Sequence, residues 1–202
     1  MFMTGKTLIV ATTVVMASAR IAGAQPLNDA RKAYDAGEFQ RVVDTGAASE
    51  DPRVLYIVAQ SQQKLRRPDD ARRVYERLAA RPQADPWNAI GQSAIAAMSG
   101  NAAVGVQQAD RAVAAGASIA EAHYQRGLAL SAQQNMDGAA AAFQKASDLD
   151  PTWAYPHYYA GVAYSKIKRA DLTASHFQTF LRLAPQAPER GEVQSILRTL
   201  GK

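Results

Sequence analysis

Residues recur at intervals of 34 along the second half of this chain of 202 residues. The pairs in register are Gly127 with Gly161, His123 with His157, Tyr124 with Tyr158, Phe143 with Phe177, and Pro151 with Pro185. A fixed period of this length is the size of one helix–turn–helix unit and predicts a solenoid. A solenoid buries its core between neighbouring units and presents its repeated faces as one long open surface. The period therefore predicts a binding scaffold, without identifying what is bound.

The unit from Ala120 to Pro151 shows the helix-pair pattern most clearly. Ser118 and Glu121 have the spacing of a capping box that would begin its first helix. After a polar turn, Asn135 is a suitable N-cap for a second helix. The proline ends the unit, because the residue before a proline disfavours helical backbone angles. The pattern predicts two helices joined by a short turn.

This unit and the next resemble the tetratricopeptide repeat, since they match the family's small, aromatic and proline positions. The residues expected to pack one repeat against another are Gly127, Ala139, Phe143, Ala146, Pro151, Gly161, Phe177 and Pro185. The second unit departs from the family at Thr173 and Phe180, where alanine is usual. The resemblance implies an all-α fold, a right-handed α-solenoid of antiparallel helix pairs. It is specific in these two units and weaker toward the N terminus.

The domain organisation follows from counting the period in both directions. Asp51-Pro52 and Asp85-Pro86 each offer an N-cap followed by proline at the first helical position, so each marks the start of a unit. The expected tetratricopeptide-like domain, residues 25–202, contains a degenerate helix pair at 26–49, repeats near 52–85, 86–119, 120–153 and 154–187, and a capping helix at 188–200.

Residues 1–24 have the pattern of an export signal. Lys6 supplies a positive charge, residues 7–19 are uncharged and mostly apolar, and residues 22–24 fit the small-x-small cleavage rule. Cleavage near Ala24 predicts an exported protein, periplasmic or secreted, with no integral membrane span afterwards. Arg20 is atypical so close to a cleavage site, and an uncleaved N-terminal anchor is the alternative.

Composition argues against several classes of chemistry. The absence of cysteine excludes a disulfide framework, a thiolate zinc site and a cysteine nucleophile. Removing Lys6 and Arg20 from the 23 basic residues leaves 21 against 18 acidic residues, a net charge of +3 that is too mild to indicate nucleic acid. His123 and His157 are interpreted as packed imidazoles, since a metal would need further ligands. Phosphate loops, nucleophile elbows and metalloprotease motifs are absent. We therefore expect no enzymatic activity, no cofactor and no metal.

The family resemblance also implies a concave groove lined by the first helix of each pair. The expected partner-binding residues are Tyr56, Trp87, Ile90, Tyr124, Tyr155, Tyr158, Gln60 and Leu128. Tyr and Trp combine a large apolar body with a polar tip, which suits interface anchors. The alternative is that these rings pack on the neighbouring repeat and never meet a ligand. The lysine and asparagine set with which some members hold a C-terminal carboxylate is not matched. The ladder better fits an amphipathic helix or an extended apolar segment, including a tail of the protein itself.

Two functions are compatible with these patterns. The first is a non-enzymatic protein–protein interaction scaffold of the cell envelope that binds a peptide or helix in its groove. The second is a structural or assembly component that acts through self-association or through a convex basic face, whose contacts with an anionic surface would involve Arg66, Arg67, Arg72 and Arg73. Nearby acidic residues make local ion pairs the simpler interpretation of those arginines. The sequence does not identify the partner.

Overall fold

The computed structural model describes residues 25–201, and eleven helices without a strand make up this part of the chain. Helix α1 covers residues 25–35. The others are α2 (Phe39–Gly46), α3 (Pro52–Lys64), α4 (Pro68–Ala79), α5 (Pro86–Met98), α6 (Ala102–Ala115), α7 (Ala120–Ala132), α8 (Met136–Leu149), α9 (Ala154–Lys166), α10 (Ala170–Leu183) and α11 (Arg190–Leu200). The expected signal peptide and its cleavage point near Ala24 lie outside the described residues. None of the helices in 25–201 has the length and apolar character needed to span a bilayer.

Consecutive helices pack as pairs, and the pairs stack along the chain. Short turns join α3 to α4, α5 to α6, α7 to α8 and α9 to α10, and short connections make such helices antiparallel neighbours. Each pair also contacts the next, and the first helices α5 and α7 touch directly. This arrangement confirms the predicted all-α solenoid.

Three of the predicted helix caps are confirmed. The carboxylates of Asp51 and Asp85 each accept a hydrogen bond of 2.9 Å from the backbone N–H two residues on, at the starts of α3 and α5. The side chain of Asn135 accepts a 3.0 Å bond from the Gly138 N–H at the start of α8. The predicted capping box before α7 is wrong, because Ile119 is the N-cap there and makes no side-chain bond. Glu121 is used elsewhere, as described below.

The period of 34 also appears in the backbone of the turns. The turn inside each of the four regular pairs contains one residue with left-handed angles: Arg66 (φ 59°), Gly100 (φ 74°), Gln134 (φ 65°) and Lys168 (φ 60°). This conformation is free of steric cost only for glycine, so three of the four turns hold a disfavoured residue. The same turn geometry is therefore imposed by the packing of each pair.

Inside the best-matched repeats, a glycine of the first helix faces the phenylalanine ring of the second. A Cβ placed on Gly127 would lie 2.5 Å from Phe143, and one on Gly161 would lie 2.5 Å from Phe177. Both rings are fully buried, as are Ala139 and Ala146. Only the missing side chain lets the two helices approach this closely. Pro151 and Pro185, grouped above with the packing residues, are instead exposed beyond the ends of α8 and α10, where they follow the helix stops.

Candidate partner-binding groove

Helix α1 lies across the first helices of later repeats, as well as beside its partner α2. The guanidinium of Arg31 donates to the carboxylate of Glu121 in α7 at 3.1 Å, and also to Asp150 at the end of the same repeat. The same guanidinium lies 5.2 Å from the centre of the Trp153 ring. One turn further on, the rings of Tyr34 and Tyr155 meet edge to face at 4.8 Å. Helix α1 thus occupies the groove that the repeats form.

The sequence of α1 explains how it can be buried on two sides. Leu27, Arg31 and Tyr34 are spaced so that they share one helix face, and this face contacts the inner layer of first helices. Ala30 and Ala33 are buried on the adjoining face, beside Gly46 and Val54 of the neighbouring helices α2 and α3. Four polar side chains of the helix are exposed to solvent: Gln25, Asn28, Asp29 and Lys32. The helix is amphipathic, with its apolar stripe interrupted by one arginine.

The two ends of the solenoid meet on the same side of the molecule. Glu189, immediately before α11, accepts hydrogen bonds from the Lys64 ammonium at 2.6 Å and from the Tyr155 hydroxyl at 2.9 Å. Gly37, in the turn after α1, has a φ of +77°, and a Cβ there would lie 2.8 Å from the Pro188 ring. Contacts of this kind close the groove around α1. The open surface expected from a solenoid is therefore covered in this structure.

The residues expected on the groove floor are mostly buried within the chain. Burial is nearly complete for Tyr56, Ile90, Tyr124, Tyr155, Trp87 and Gln60, whereas Leu128 and Tyr158 are partly exposed. The rings contact one another, as Tyr56 does with Trp87 at 6.0 Å and with Tyr124 at 6.4 Å. An exposed aromatic ladder is thus replaced by packing between neighbouring first helices and by α1. Binding of a partner through these side chains stays a prediction.

Unfilled space remains at both ends of α1. A cavity of about 370 Å³ lies beside Tyr34, where Gln60, Tyr124 and Leu128 line it. A second cavity of about 330 Å³ lies beside Leu27 and Arg31, against Trp87, Ile119 and Glu121. Both pockets are partly open to solvent, so they are clefts at the edges of the contact and not enclosed voids. The contact between α1 and the groove is therefore bordered by solvent-accessible clefts at both ends.

The groove carries a negative charge that faces Arg31. Burial raises the pKa of the Glu121 carboxyl, an effect that the guanidinium opposes. Burial also acts to raise the pKa of Asp150, but hydrogen bonds from Thr152 and the charge of Arg31 hold that pKa below its usual value. The buried carboxylate of Glu121 and the half-buried carboxylate of Asp150 therefore share the guanidinium of Arg31. Sequence reasoning missed Arg31, and the available signal was an arginine on the apolar face of the first helix.

A chain of buried hydrogen bonds connects the first helices across three repeats. The hydroxyl of Tyr56 in α3 donates to the side-chain oxygen of Gln125 in α7 at 2.7 Å. The amide of Gln125 donates to the Ser93 hydroxyl of α5 at 3.1 Å, and that hydroxyl donates to the Gly105 carbonyl oxygen at 2.8 Å. Each polar group in this series of hydrogen bonds has a partner, as buried polar groups require. The hydroxyl of the predicted groove residue Tyr56 is thus used inside the fold.

The histidines form a packed pair, but not the pair suggested by their spacing. His157 Nδ1 lies 3.1 Å from His176 Nδ1, while His123 contacts the Ala117 carbonyl. His176 Nε2 lies 2.8 Å from the side-chain oxygen of Gln144, which can only accept, so His176 carries its proton there and accepts from His157. Burial lowers the pKa of both, that of His157 to about 4. Across 25–201, no group of three or more metal-binding side chains comes together.

The arginines of the expected basic face are partly engaged in local contacts. Arg73 pairs with Asp70 in the same helix, and Arg72 donates to the Ser99 hydroxyl at 3.1 Å. Arg66 and Arg67 are exposed in the turn between α3 and α4. Contact between these residues and an anionic surface stays a prediction.

Comparison with known proteins points to one family. Residues 120–153 and residues 53–84 each match the tetratricopeptide repeat. No curated protein sequence matches the chain. Among solved structures, a thermophilic tetratricopeptide-repeat protein of Thermus thermophilus has 21% identity and a TM-score of 0.62, covering 87% of this chain and 98% of its own. YrrB, a tetratricopeptide-repeat protein described as having an unusual peptide-binding site, has 17% identity and a TM-score of 0.53, with coverages of 84% and 90%. The APC/C assembly Cut9–Hcn1 has 16% identity and a TM-score of 0.58, with coverages of 79% and 32%.

Proposed function

We propose, from the premise that this chain is a tetratricopeptide-repeat protein, that it is a non-enzymatic scaffold of the cell envelope whose concave groove binds a helical segment of a partner protein. The fold supports a role in protein–protein interaction generally. The observation that carries the finer proposal is α1 itself, an amphipathic helix seated on the first helices of the repeats. Laying the apolar face of a helix into an apolar groove is a recurring mode of peptide recognition.

The groove has the features that such recognition needs. Leu128 is partly exposed at a cavity of about 370 Å³, beside the buried aromatic rings. Two carboxylates, Glu121 and Asp150, offer a charged contact that fixes the orientation of a helix. An apolar site with a few placed polar groups is the usual construction of a binding site. The same fold in YrrB carries a peptide-binding site, which is compatible with this proposal.

Export of the chain is part of the proposal and rests on the pattern of residues 1–24. The intact mass of the chain recovered from the periplasmic fraction tests it. Cleavage after Ala24 predicts a mature chain that begins at Gln25. A chain found only in the cytoplasm, at its full length, would remove the envelope from the proposed function.

Site-directed photocrosslinking in the producing cell tests the groove. A photoreactive residue at Leu128 should capture a partner protein, and mass spectrometry should map the link to a helical segment of that partner. The control is the same residue at Lys145, which is exposed on the second-helix layer in α8. Capture at Lys145 but not at Leu128 would place the interaction outside the groove.

A role in an envelope assembly through the basic face is the second candidate, and the exposure of Arg66 and Arg67 favours it. Flotation with vesicles that contain anionic lipid tests this role, with Arg66→Gln/Arg67→Gln as the variant. If the basic face acts, the wild-type chain floats and the variant stays behind. Equal behaviour of both chains would reject the basic face.

A further inference from the structure

We infer that α1 is a displaceable internal ligand of the groove, and that the partner's helix carries the same three contacts: an apolar residue, an arginine four positions later and a tyrosine three positions after that. The inference rests on the proposed function and names the chemistry of the partner. Its template is the face formed by Leu27, Arg31 and Tyr34. This i, i+4, i+7 spacing is the spacing of anchors in helix-in-groove complexes.

The groove is complementary to that pattern at each point. The leucine lies at a cavity lined by Trp87 and Ile119. The arginine lies between two carboxylates and over the Trp153 ring. The carboxylates recognise its charge, and the ring recognises its flat guanidinium. The tyrosine contacts the ring of Tyr155 edge to face at 4.8 Å. A lysine would keep the charge but lose the two-sided pairing, so the site selects arginine.

Four observations indicate that α1 can leave its place. Clefts of about 370 and 330 Å³, both partly open to solvent, lie at its two ends, so solvent reaches the edges of its contact with the groove. The Nε atom of Arg31 is buried without a hydrogen-bond partner. Gly37, directly after the helix, has a left-handed φ of +77° and can serve as a hinge. A helix of this length is marginal by itself in water, so its order depends on docking. Segments that are held by few side chains and border on solvent open at low free energy.

Internal occupation changes what a partner must do. Because a short connection joins α1 to the repeats, this helix competes with a partner's helix at an effective concentration in the millimolar range. The apparent affinity for a partner is the intrinsic affinity multiplied by the fraction of molecules in which α1 is undocked. The groove therefore rejects weak helices and accepts a partner that matches all three contacts. Covering the aromatic rings while no partner is present also keeps an apolar surface out of solvent.

The probe that tests this inference is a peptide with the sequence of residues 25–36, acetylated, amidated and labelled with a fluorophore. It is titrated into the whole purified chain, and anisotropy gives its affinity. The variant Arg31→Ala/Tyr34→Ala removes two anchors of the internal helix and leaves the groove unchanged. The control, Asn28→Ala/Lys32→Ala, alters two exposed residues of the same helix. We expect the peptide to bind the anchor variant at least tenfold more tightly than either the wild type or the control.

A peptide with alanine in place of its arginine should lose at least tenfold in affinity for the anchor variant. The protein's two tryptophans, Trp87 and Trp153, are both buried at the α1 contact, so in the anchor variant their emission reports binding of an unlabelled peptide. The peptide contains no tryptophan. Equal affinities for the anchor variant and the control, or for both peptides, would overturn the inference.

Hydrogen exchange on the wild-type chain provides a second measurement that needs no variant. Amides of α1 should exchange at least tenfold faster than those of α5 and α7, and an excess of peptide should accelerate them further. Protection of α1 equal to that of the repeats would overturn the inference that this helix can be displaced.

A concentration-dependent dimer of the wild-type chain, with helices exchanged between copies, would overturn the assignment of the groove to another protein. Capture of a partner at Leu128 with α1 still docked would leave the proposed function standing and reject this inference alone.

Discussion

Replacing Gly91 and Gly105 by alanine, one at a time, should shift stability in opposite directions. Both glycines lie in helices of the same pair, α5 and α6. A Cβ on Gly91 would lie 2.6 Å from the Tyr75 carbonyl oxygen and 2.6 Å from the Ala79 amide nitrogen, both in the backbone of α4. Favourable contacts are about 3.5 to 4.0 Å, so the two helices would have to separate by roughly 1 Å.

The magnitude follows from two opposing contributions. Overpacking a core costs about 1–3 kcal/mol, and the upper end applies at Gly91 because backbone atoms cannot rotate away. Alanine is about 1 kcal/mol more favourable than glycine inside a helix, which leaves a net loss of about 2 kcal/mol for Gly91→Ala. At Gly105 the nearest atoms would be 3.6 and 3.8 Å away, which is ordinary contact, so Gly105→Ala should gain about 0.5–1 kcal/mol.

Urea unfolding followed by far-UV circular dichroism measures both variants against the wild type. Equal slopes with displaced midpoints would show that stability alone has changed. We expect the midpoint to fall for Gly91→Ala and to rise for Gly105→Ala, with the two variants about 3 kcal/mol apart. A Gly91→Ala chain as stable as the wild type, or equal shifts for the two variants, would refute the close approach of α4 and α5.

Three further outcomes are expected. Lys168→Gly should raise the free energy of unfolding by about 0.5–1 kcal/mol, because the left-handed turn no longer strains a side chain; an unchanged urea midpoint would contradict this. Tyr56→Phe leaves the side-chain oxygen of Gln125 unpaired in the core and should cost about 1–3 kcal/mol in the same assay, whereas no loss would show that the oxygen finds another donor. The pKa values of His157 and His176 are lower in the folded chain, so the unfolded chain binds protons at these imidazoles more readily. The stabilising contribution of the neutral pair is therefore complete above about pH 6.5 and is lost as the pH falls toward 4. The loss is up to about 1.4 kcal/mol per pH unit for each proton bound. Unfolding free energies measured across this window should show a shallower slope for His157→Gln, and an identical slope would exclude the pair as its source.

Local signals were sufficient to predict the helices, because the responsible contacts lie within a few residues of each other. Asp51, Asp85 and Asn135 cap the helices that follow them, and each bond spans two or three residues. The repeat contact between Gly127 and Phe143 also follows from the period, since one unit contains both residues. Spacing alone therefore predicts the fold and the interior of each repeat.

Two features of the groove could not be predicted from spacing. Arg31 and Glu121 are separated by 90 residues, and no period relates the degenerate first pair to the third repeat. The residues of the predicted aromatic ladder lie on the first helices, but their exposure depends on what covers them. Tyr34 and Tyr155 meet only because α1 turns into the groove, and that direction is determined by tertiary contacts. The sequence predicts a groove lined by aromatic residues, and only the three-dimensional arrangement shows that α1 occupies it.

Closure of the groove changes how the solenoid holds together. In an open solenoid each repeat contacts only its neighbours, so stability is approximately a sum of local contributions and the ends can fray independently. Here Lys64 of the first repeat binds Glu189, 125 residues later, and Arg31 joins the N-terminal helix to the third repeat. These contacts couple the two ends, so that opening either end exposes the surface that the other covers. A helix at this junction therefore serves two roles that oppose each other, since it stabilises the array while docked and makes the groove available when it leaves.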